Sequence, residues 1–286
     1  MSNSTIAQVG VIGGGQMGSG IAEVCSRAGL DVVVVEVDAT AAEAAEGRVR
    51  ASLERAASRG KISAGEATEI LARVAFTTDF DALADRDLVV EAASEDEQIK
   101  LELFGRVGAL LTKDEAVLAS NTSSIPIVKL GAVSGRADRV MGVHFFNPAP
   151  VMQLVELIPS LTTAPETLGR MRGFVESLGK QPIEATDRAG FVVNSLLVPY
   201  LLSAIRMYEA GYASAADIDK GMVLGCGHPM GPLALSDLIG LDTIRAIGVS
   251  LYEEFKEPLY SPPPLLDRMV DAGLLGKKAG HGFYAY

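Results

Sequence analysis

Val9-Gly10-Val11-Ile12-Gly13-Gly14-Gly15-Gln16-Met17-Gly18 carries an apolar, β-branched run straight into a cluster of glycines, and an apolar helical pattern over residues 21–28 follows at once. That order of strand, glycine turn and helix makes the G-x-G-x-x-G spacing specific, because glycines alone also mark ordinary turns. In this reading Gly13 permits the tight turn, Gly15 lets a pyrophosphate approach the backbone, and Gly18 lets helix and strand pack closely. Gln16 and Met17 open the helix whose positive end meets the phosphates. About 20 residues further on stands Glu36, near the end of a second apolar run, where an acid accepts hydrogen bonds from an adenosine ribose and repels a 2′-phosphate. No arginine follows before Arg48, so NAD is favoured over NADP. The alternative for Glu36 or Asp38 is a cap on the next helix.

Working outward, short β-branched runs at residues 9–12, 32–37, 88–91, 117–119 and 140–145 alternate with longer helical patterns. Residues 154–158 and 181–184 add candidate strands, with a helix expected over 165–178 between them. The alternation predicts a Rossmann-type, doubly wound, mostly parallel sheet over residues 1–186. Beyond Asp187 the strand signals fade, and helical patterns broken by Gly-Pro-rich turns predict an all-helical C-terminal domain over 187–286. Its most apolar stretch, residues 191–205, contains Asn194, Ser195, Pro199 and Ser203 and falls short of the roughly 20 residues that a membrane span needs. Its apolar residues cover nearly all faces, which reads as a buried helix in a domain core or a subunit interface.

A net charge of −11 over 286 residues argues against a protein that holds nucleic acid through its phosphates. The two cysteines, Cys25 and Cys226, stand far apart with no second thiol or histidine at ligand spacing, so neither a disulfide framework nor a metal site is expected. Cys25, inside the first helix, reads as a packed small side chain. The apolar run before the glycines is too short for the core of a signal peptide, and the cytoplasm is the expected compartment.

Only His144, His228 and His281 can supply an imidazole. His144 ends a strand in Val143-His144-Phe145-Phe146-Asn147-Pro148, and the carboxyl ends of strands are where open α/β sheets bind ligands. Imidazole titrates near neutral pH, so it can take a proton from an alcohol while a hydride leaves the same carbon. A histidine in an apolar strand can equally be a satisfied core residue, and spacing alone does not separate the two. Ser120-Asn121-Thr122-Ser123-Ser124 follows another strand and either holds a substrate oxygen or caps a helix. Glu156 is a lone acid in the apolar run Leu154-Val155-Glu156-Leu157. A buried acid needs a partner, and pairing with His144 would fix the tautomer and stabilise an imidazolium.

Taken together, the glycine fingerprint, Ala119–Ser124, His144-Phe145-Phe146-Asn147-Pro148, Gly190-Phe191-Val192-Val193-Asn194 and Gly276-Lys277-Lys278-Ala279-Gly280-His281-Gly282-Phe283-Tyr284 resemble the 3-hydroxyacyl-CoA dehydrogenase family, most closely its 3-hydroxybutyryl-CoA branch. The resemblance covers essentially the whole chain. It implies NAD-dependent oxidation of a short-chain 3-hydroxyacyl-CoA in fatty acid metabolism, and a homodimer joined through the C-terminal domain. His144 is implied as catalytic base or acid, Glu156 as its orienting partner, and Ser123 and Asn194 as groups that hold the substrate oxygen. Glu95, Lys100, Asn147 and Lys278 are implied around the nicotinamide half of the cofactor, although Glu95 and Lys100 read blind would be a solvated helix face. For the CoA moiety the resemblance points to Ser52, Arg59 and Lys61. Arg59 replaces a lysine common in the family, and Glu36 replaces its more usual aspartate. The 2-hydroxyacid and sugar-acid dehydrogenases fit less well, since their catalytic lysine has no obvious counterpart. A non-catalytic NAD-binding relative is disfavoured by the intact set Ser123, His144, Glu156 and Asn194.

Overall fold

A computed structural model describes residues 6–286, which fall into two compact units dividing between Asp187 and Arg188. The first is an eight-stranded sheet: β1 (Gln8–Ile12), β2 (Asp31–Val35), β3 (Val74–Thr77), β4 (Leu88–Glu91), β5 (Val117–Ser120), β6 (Val140–Phe145), β7 (Leu154–Pro159) and β8 (Gln181–Glu184). Its strand order is β3-β2-β1-β4-β5-β6-β7-β8, parallel throughout except where β7 runs against β6. Helices α1 (Gln16–Arg27), α2 (Ala39–Ser58), α3 (Ala64–Leu71), α4 (Glu97–Leu110), α5 (Ile127–Val133) and α6 (Pro165–Ser177) make the connections. Strands covered on both faces explain the continuous valine and leucine runs, and Val9, Val11, Val32, Val34, Leu88 and Val90 are fully buried.

The order reverses beside β1: the chain winds outward through β2 and β3, then returns to β4 on the other side. Register aligns the carboxyl ends there, with Ile12 opposite both Val35 and Glu91, and Glu91 opposite Ser120. Such a switch point leaves a crevice at the strand ends where ligands bind.

Two local details differ from the sequence reading, and one alternative that it left open is decided. The second strand stops at Val35, so Glu36 lies just beyond it and Val37 is exposed. Asp38, rather than Glu36, caps α2, its carboxylate accepting from the Ala41 N–H at 2.8 Å. An edge strand, β3, was not foreseen. It follows a helical hairpin, α2 and α3, that closes on a small core of Val49, Leu53 and Ile70, with a Ser63–Glu66 capping box opening α3. Cys25 is fully buried, and burial pushes its thiol up to about 12.

The second unit holds α7 (Val193–Glu209), α8 (Ala215–Cys226), α9 (Pro232–Ile239), α10 (Leu241–Phe255) and α11 (Pro264–Asp271), packed around Leu201, Leu202, Ile205, Leu233, Leu241, Ile244, Leu251 and Leu266. Helix α7 is two-faced, not buried on all sides. Val198, Leu201, Leu202 and Ile205 enter the core, whereas Leu196 is 73% exposed and Met207 is exposed as well. Among the described residues no helix is long and apolar enough to cross a membrane.

Candidate active site

The glycine turn after β1 has the conformation its residues permit. Gly13 takes φ +85, and its N–H bonds the Val35 carbonyl at 2.9 Å, tying the turn to the end of β2. A Cβ on Gly18 would lie 1.8 Å from the Gly13 carbonyl oxygen, so only glycine lets α1 start this close to the turn. Gly15 is different: it precedes the first turn of α1, no side chain caps that turn, and a Cβ there would meet nothing within 4 Å. The first turn of α1 is thus uncapped by any side chain and the loop is open at Gly15, which fits the pyrophosphate of a dinucleotide by charge and by access. Met17 is half-buried against the core, while Gln16 is exposed and donates to the Asn147 side chain at 3.1 Å.

Glu36 turns back onto this loop, its carboxylate accepting from the Gly14 N–H at 2.5 Å and from its neighbour Val37 at 3.3 Å. Arg48, twelve residues on, reaches the same glycine, donating to the Gly14 carbonyl at 3.0 Å. An acid and a guanidinium thus flank one residue of the loop, a proximity that distance along the chain concealed.

His144 and Glu156 are direct cross-strand partners in the antiparallel pair β6–β7. His144 Nδ1 lies 2.7 Å from Glu156 Oε2, with side chains 9% and 0% exposed. With the Glu156 carboxylate as acceptor Nδ1 carries the hydrogen, and Nε2 is then the ring nitrogen that can exchange a proton. Phe146 packs edge-on against the ring at 4.7 Å, and the neighbouring Phe145 N–H donates to the Asn121 side chain at 2.9 Å. That last bond joins the end of β6 to the turn after β5.

The turn after β5 is held by Glu95. Its carboxylate accepts from Thr122 Oγ1 at 2.5 Å, from the Ser123 N–H at 2.9 Å and from Ser124 Oγ at 3.2 Å, with Ser123 Oγ at 3.4 Å. Burial pushes the Glu95 carboxyl up, but the Lys100 ammonium and the hydrogen bonds from Thr122 and Ser123 outweigh it and hold it below the usual carboxylate range. Lys100 overturns the blind reading of a solvated helix face. Although on the first turns of α4, it is only 1% exposed, with its ammonium 2.6 Å from Glu91 and 3.3 Å from Glu95. Glu91, at the end of β4, was missed. The signal that singled out Glu156, a lone acid in an apolar strand, would have found it in Leu88-Val89-Val90-Glu91.

Within the same unit a cleft of about 720 Å³ is lined by residues that include Gln16, Arg48, Ser52, Arg55, Asn147 and Pro150. Ser52 is half-buried in it. Arg59 caps the end of α2 and Lys61 follows it, both exposed and outside the cleft lining. In the second unit Asn194 is half-buried on the first turn of α7, and Lys278 lies in a short turn, ion-paired with Asp242 at 2.6 Å.

With this geometry in place, comparison with known proteins is decisive: the 3-hydroxyacyl-CoA dehydrogenase NAD-binding domain matches residues 8–188, and the C-terminal domain of the same family matches residues 190–286. The chain belongs to the 3-hydroxyacyl-CoA dehydrogenase family. It is 55% identical over 285 residues to a Mycobacterium tuberculosis protein named 3-hydroxybutyryl-CoA dehydrogenase, covering 99% of this chain and 100% of that one. Among solved structures, M. tuberculosis FadB2 superposes with a TM-score of 0.98 at 55% identity, over 99% of this chain and 100% of the other. The (S)-3-hydroxybutyryl-CoA dehydrogenase PaaH1 of Ralstonia eutropha gives 0.93 at 44% identity, covering 99% of each chain. Membership in this dehydrogenase family also makes NAD the cofactor, in keeping with the open first turn of α1.

Proposed function

We infer that the protein is an NAD-dependent dehydrogenase that oxidises (S)-3-hydroxybutyryl-CoA to acetoacetyl-CoA and catalyses the reverse reduction. The observation that carries this reading is the buried His144–Glu156 pair at the carboxyl end of β6, in a chain whose full length matches the family.

When bound, NAD supplies the acceptor for the hydride leaving C3 of the substrate. His144 removes the 3-hydroxyl proton at Nε2 while Nδ1–H stays on Glu156, so the imidazolium forms with a carboxylate already 2.7 Å away. No group has to move to meet that charge, which is the economy of a preorganised site. Ser123 holds the substrate oxygen and Glu95 holds the Ser123 turn. Gly13, Gly15, Gln16, Met17 and Gly18 cradle the pyrophosphate, and Glu36 receives the adenosine ribose. Asn147 and Lys100 belong to the nicotinamide side, and the roles of Asn194 and Lys278 follow the family resemblance. Reduction reverses the proton transfer, with the imidazolium as acid.

For the CoA moiety, Ser52 in its cleft with Arg48 and Arg55 offers a hydroxyl and two guanidinium groups to phosphate oxygens, and Arg59 and Lys61 add positive charge beyond it. The second unit is assigned to substrate binding and to homodimer formation, and the cytoplasm is the compartment proposed on cysteine usage. The test is an absorbance assay of NADH consumption with acetoacetyl-CoA, repeated with longer 3-ketoacyl-CoA substrates and with NADPH. Turnover that is fastest on the four-carbon substrate with NADH supports the reading. No turnover on any acyl-CoA overturns it.

A further inference from the structure

Glu91 is fully buried where β4 ends, and both of its carboxylate oxygens are engaged. Oε1 accepts from Lys100 Nζ at 2.6 Å and from the Ala93 N–H at 2.7 Å, and Oε2 accepts from Ser120 Oγ at 2.6 Å. From each oxygen a line of contacts runs to the same turn. Through Oε1 it passes to Lys100, on to Glu95 Oε2 at 3.3 Å, and from Glu95 Oε1 to Thr122, Ser123 and Ser124. Through Oε2 it passes to Ser120 Oγ, which accepts from the Thr122 N–H at 3.2 Å. The Glu91 backbone carbonyl adds a third tie, accepting from the Asn121 N–H at 2.8 Å.

A buried ion pair that served only to anchor α4 to the sheet would need one acid. Here one ammonium lies between two, closer to the buried carboxylate than to the partly exposed one. Because Glu91 supplies the main countercharge, Glu95 can keep its oxygen on the turn instead of closing fully onto Lys100. We propose that Glu91 is a positioning residue, whose buried carboxylate holds Lys100 and Ser120 so that Glu95 and the Thr122 N–H set the Ser123 hydroxyl against the reacting oxygen of the substrate. This rests on the assignment of Ser123 given above.

The test is a double-mutant cycle between Glu91→Gln and Ser123→Ala, reading kcat at saturating substrate, with thermal unfolding and NADH affinity measured on each variant. Glu91→Gln keeps the shape but leaves Lys100 with Glu95 as its only carboxylate, so the turn loses its hold. A misplacement of this kind lowers kcat by about 10- to 100-fold. If Glu91 acts through Ser123, that penalty shrinks to less than about 3-fold when Ser123 is already alanine, because coupled residues are not additive. A purely structural role would give the same factor in both backgrounds and would overturn the proposal, as would an unchanged kcat in Glu91→Gln. Should Glu91→Gln fail to fold, Ser120→Ala, which cuts only the line through Oε2, enters the same cycle. Failure of the underlying assignment looks different: Ser123→Ala alone would then have normal kcat, and the positioning role would fall with it.

Discussion

At the scale of the residue, the function reduces to where a few charged side chains find partners. His144 and Glu156 are twelve residues apart in sequence and 2.7 Å apart in space because an antiparallel strand folds one onto the other. His144→Gln should leave NADH affinity nearly intact and lower kcat by at least about 10²-fold, the usual contribution of a positioned acid–base group. Near-normal turnover of the folded variant at saturating substrate would remove His144 from its role. Glu156→Gln should also slow turnover and change the shape of the pH–rate profile, since an amide cannot counter an imidazolium; a superimposable profile would count against the pair. Cofactor choice is expected to rest on Glu36. Wild type should show a higher kcat/KM with NADH than with NADPH, and Glu36→Ser should narrow the difference without an added base, because Arg48 already reaches the glycine that Glu36 holds. Equal use of both cofactors by wild type would show that the acid does not discriminate. Glu156 was legible as a lone acid in an apolar strand, whereas Glu91, which stands alone at the end of another, was passed over. Lys100 was not legible, because a lysine among acids on a helix reads as solvated, and only the folded chain places a buried carboxylate within reach of its long stem.

At the scale of the element, the sheet was readable because strands covered on both faces must be continuously apolar, and the runs that became β1, β4, β5 and β6 stood out with almost their final bounds. The edge strand β3 was hidden for the same reason. Its residues Val74-Ala75-Phe76-Thr77 pair on one side only and are less fully buried, so only a three-residue apolar run close behind α3 marks it. Helix ends carry a further dependence between distant segments. Helix α5 begins after Pro126, which offers no side-chain cap, and its first two N–H groups, Ile127 and Val128, are satisfied by the Asp187 carboxylate at 2.8 and 2.9 Å. Asp187 lies sixty residues on and is the last residue of the first unit. Asp187→Ala should therefore destabilise the fold by about 1 kcal/mol, in the range of lost N-caps, and Asp187→Asn by less, because the amide oxygen still accepts one of the two bonds. Equal unfolding midpoints for wild type and Asp187→Ala in urea would refute the capping role. The sequence reading used Asp187 only as a boundary marker, since a cap supplied from sixty residues away leaves no local pattern.

At the scale of the whole molecule, both units expose single apolar side chains, Val37 and Leu161 among them in the sheet unit, but the helical unit leaves them uncovered on one helix after another. A unit of about 100 residues has too little interior to enclose every apolar face of its helices. In the second unit Leu196 and Met207 on α7, Leu224 on α8, Met230 in the loop after it and Leu238 on α9 are all exposed, Leu196 and Leu224 to 73% each. The sequence reading foresaw an apolar surplus on α7, to be buried in a domain core or at a subunit interface; the fold buries one face and presents the other. Isolated exposed leucines are ordinary, but several large ones on successive helices of one small unit are what a subunit interface presents before it is closed. We therefore expect at least a homodimer formed through residues 188–286, in which a symmetric contact sets the same helical surface of two copies against each other. A stable interface of this type buries about 1,600 Å² in total. Leu196→Glu and Leu224→Glu, singly or together, place charge on that surface without touching the core, and should shift light scattering from the dimer mass toward the monomer at micromolar concentration while leaving circular dichroism unchanged. A wild-type protein that is a monodisperse monomer at that concentration would refute the assembly and leave the assignment of His144 and Glu156 standing.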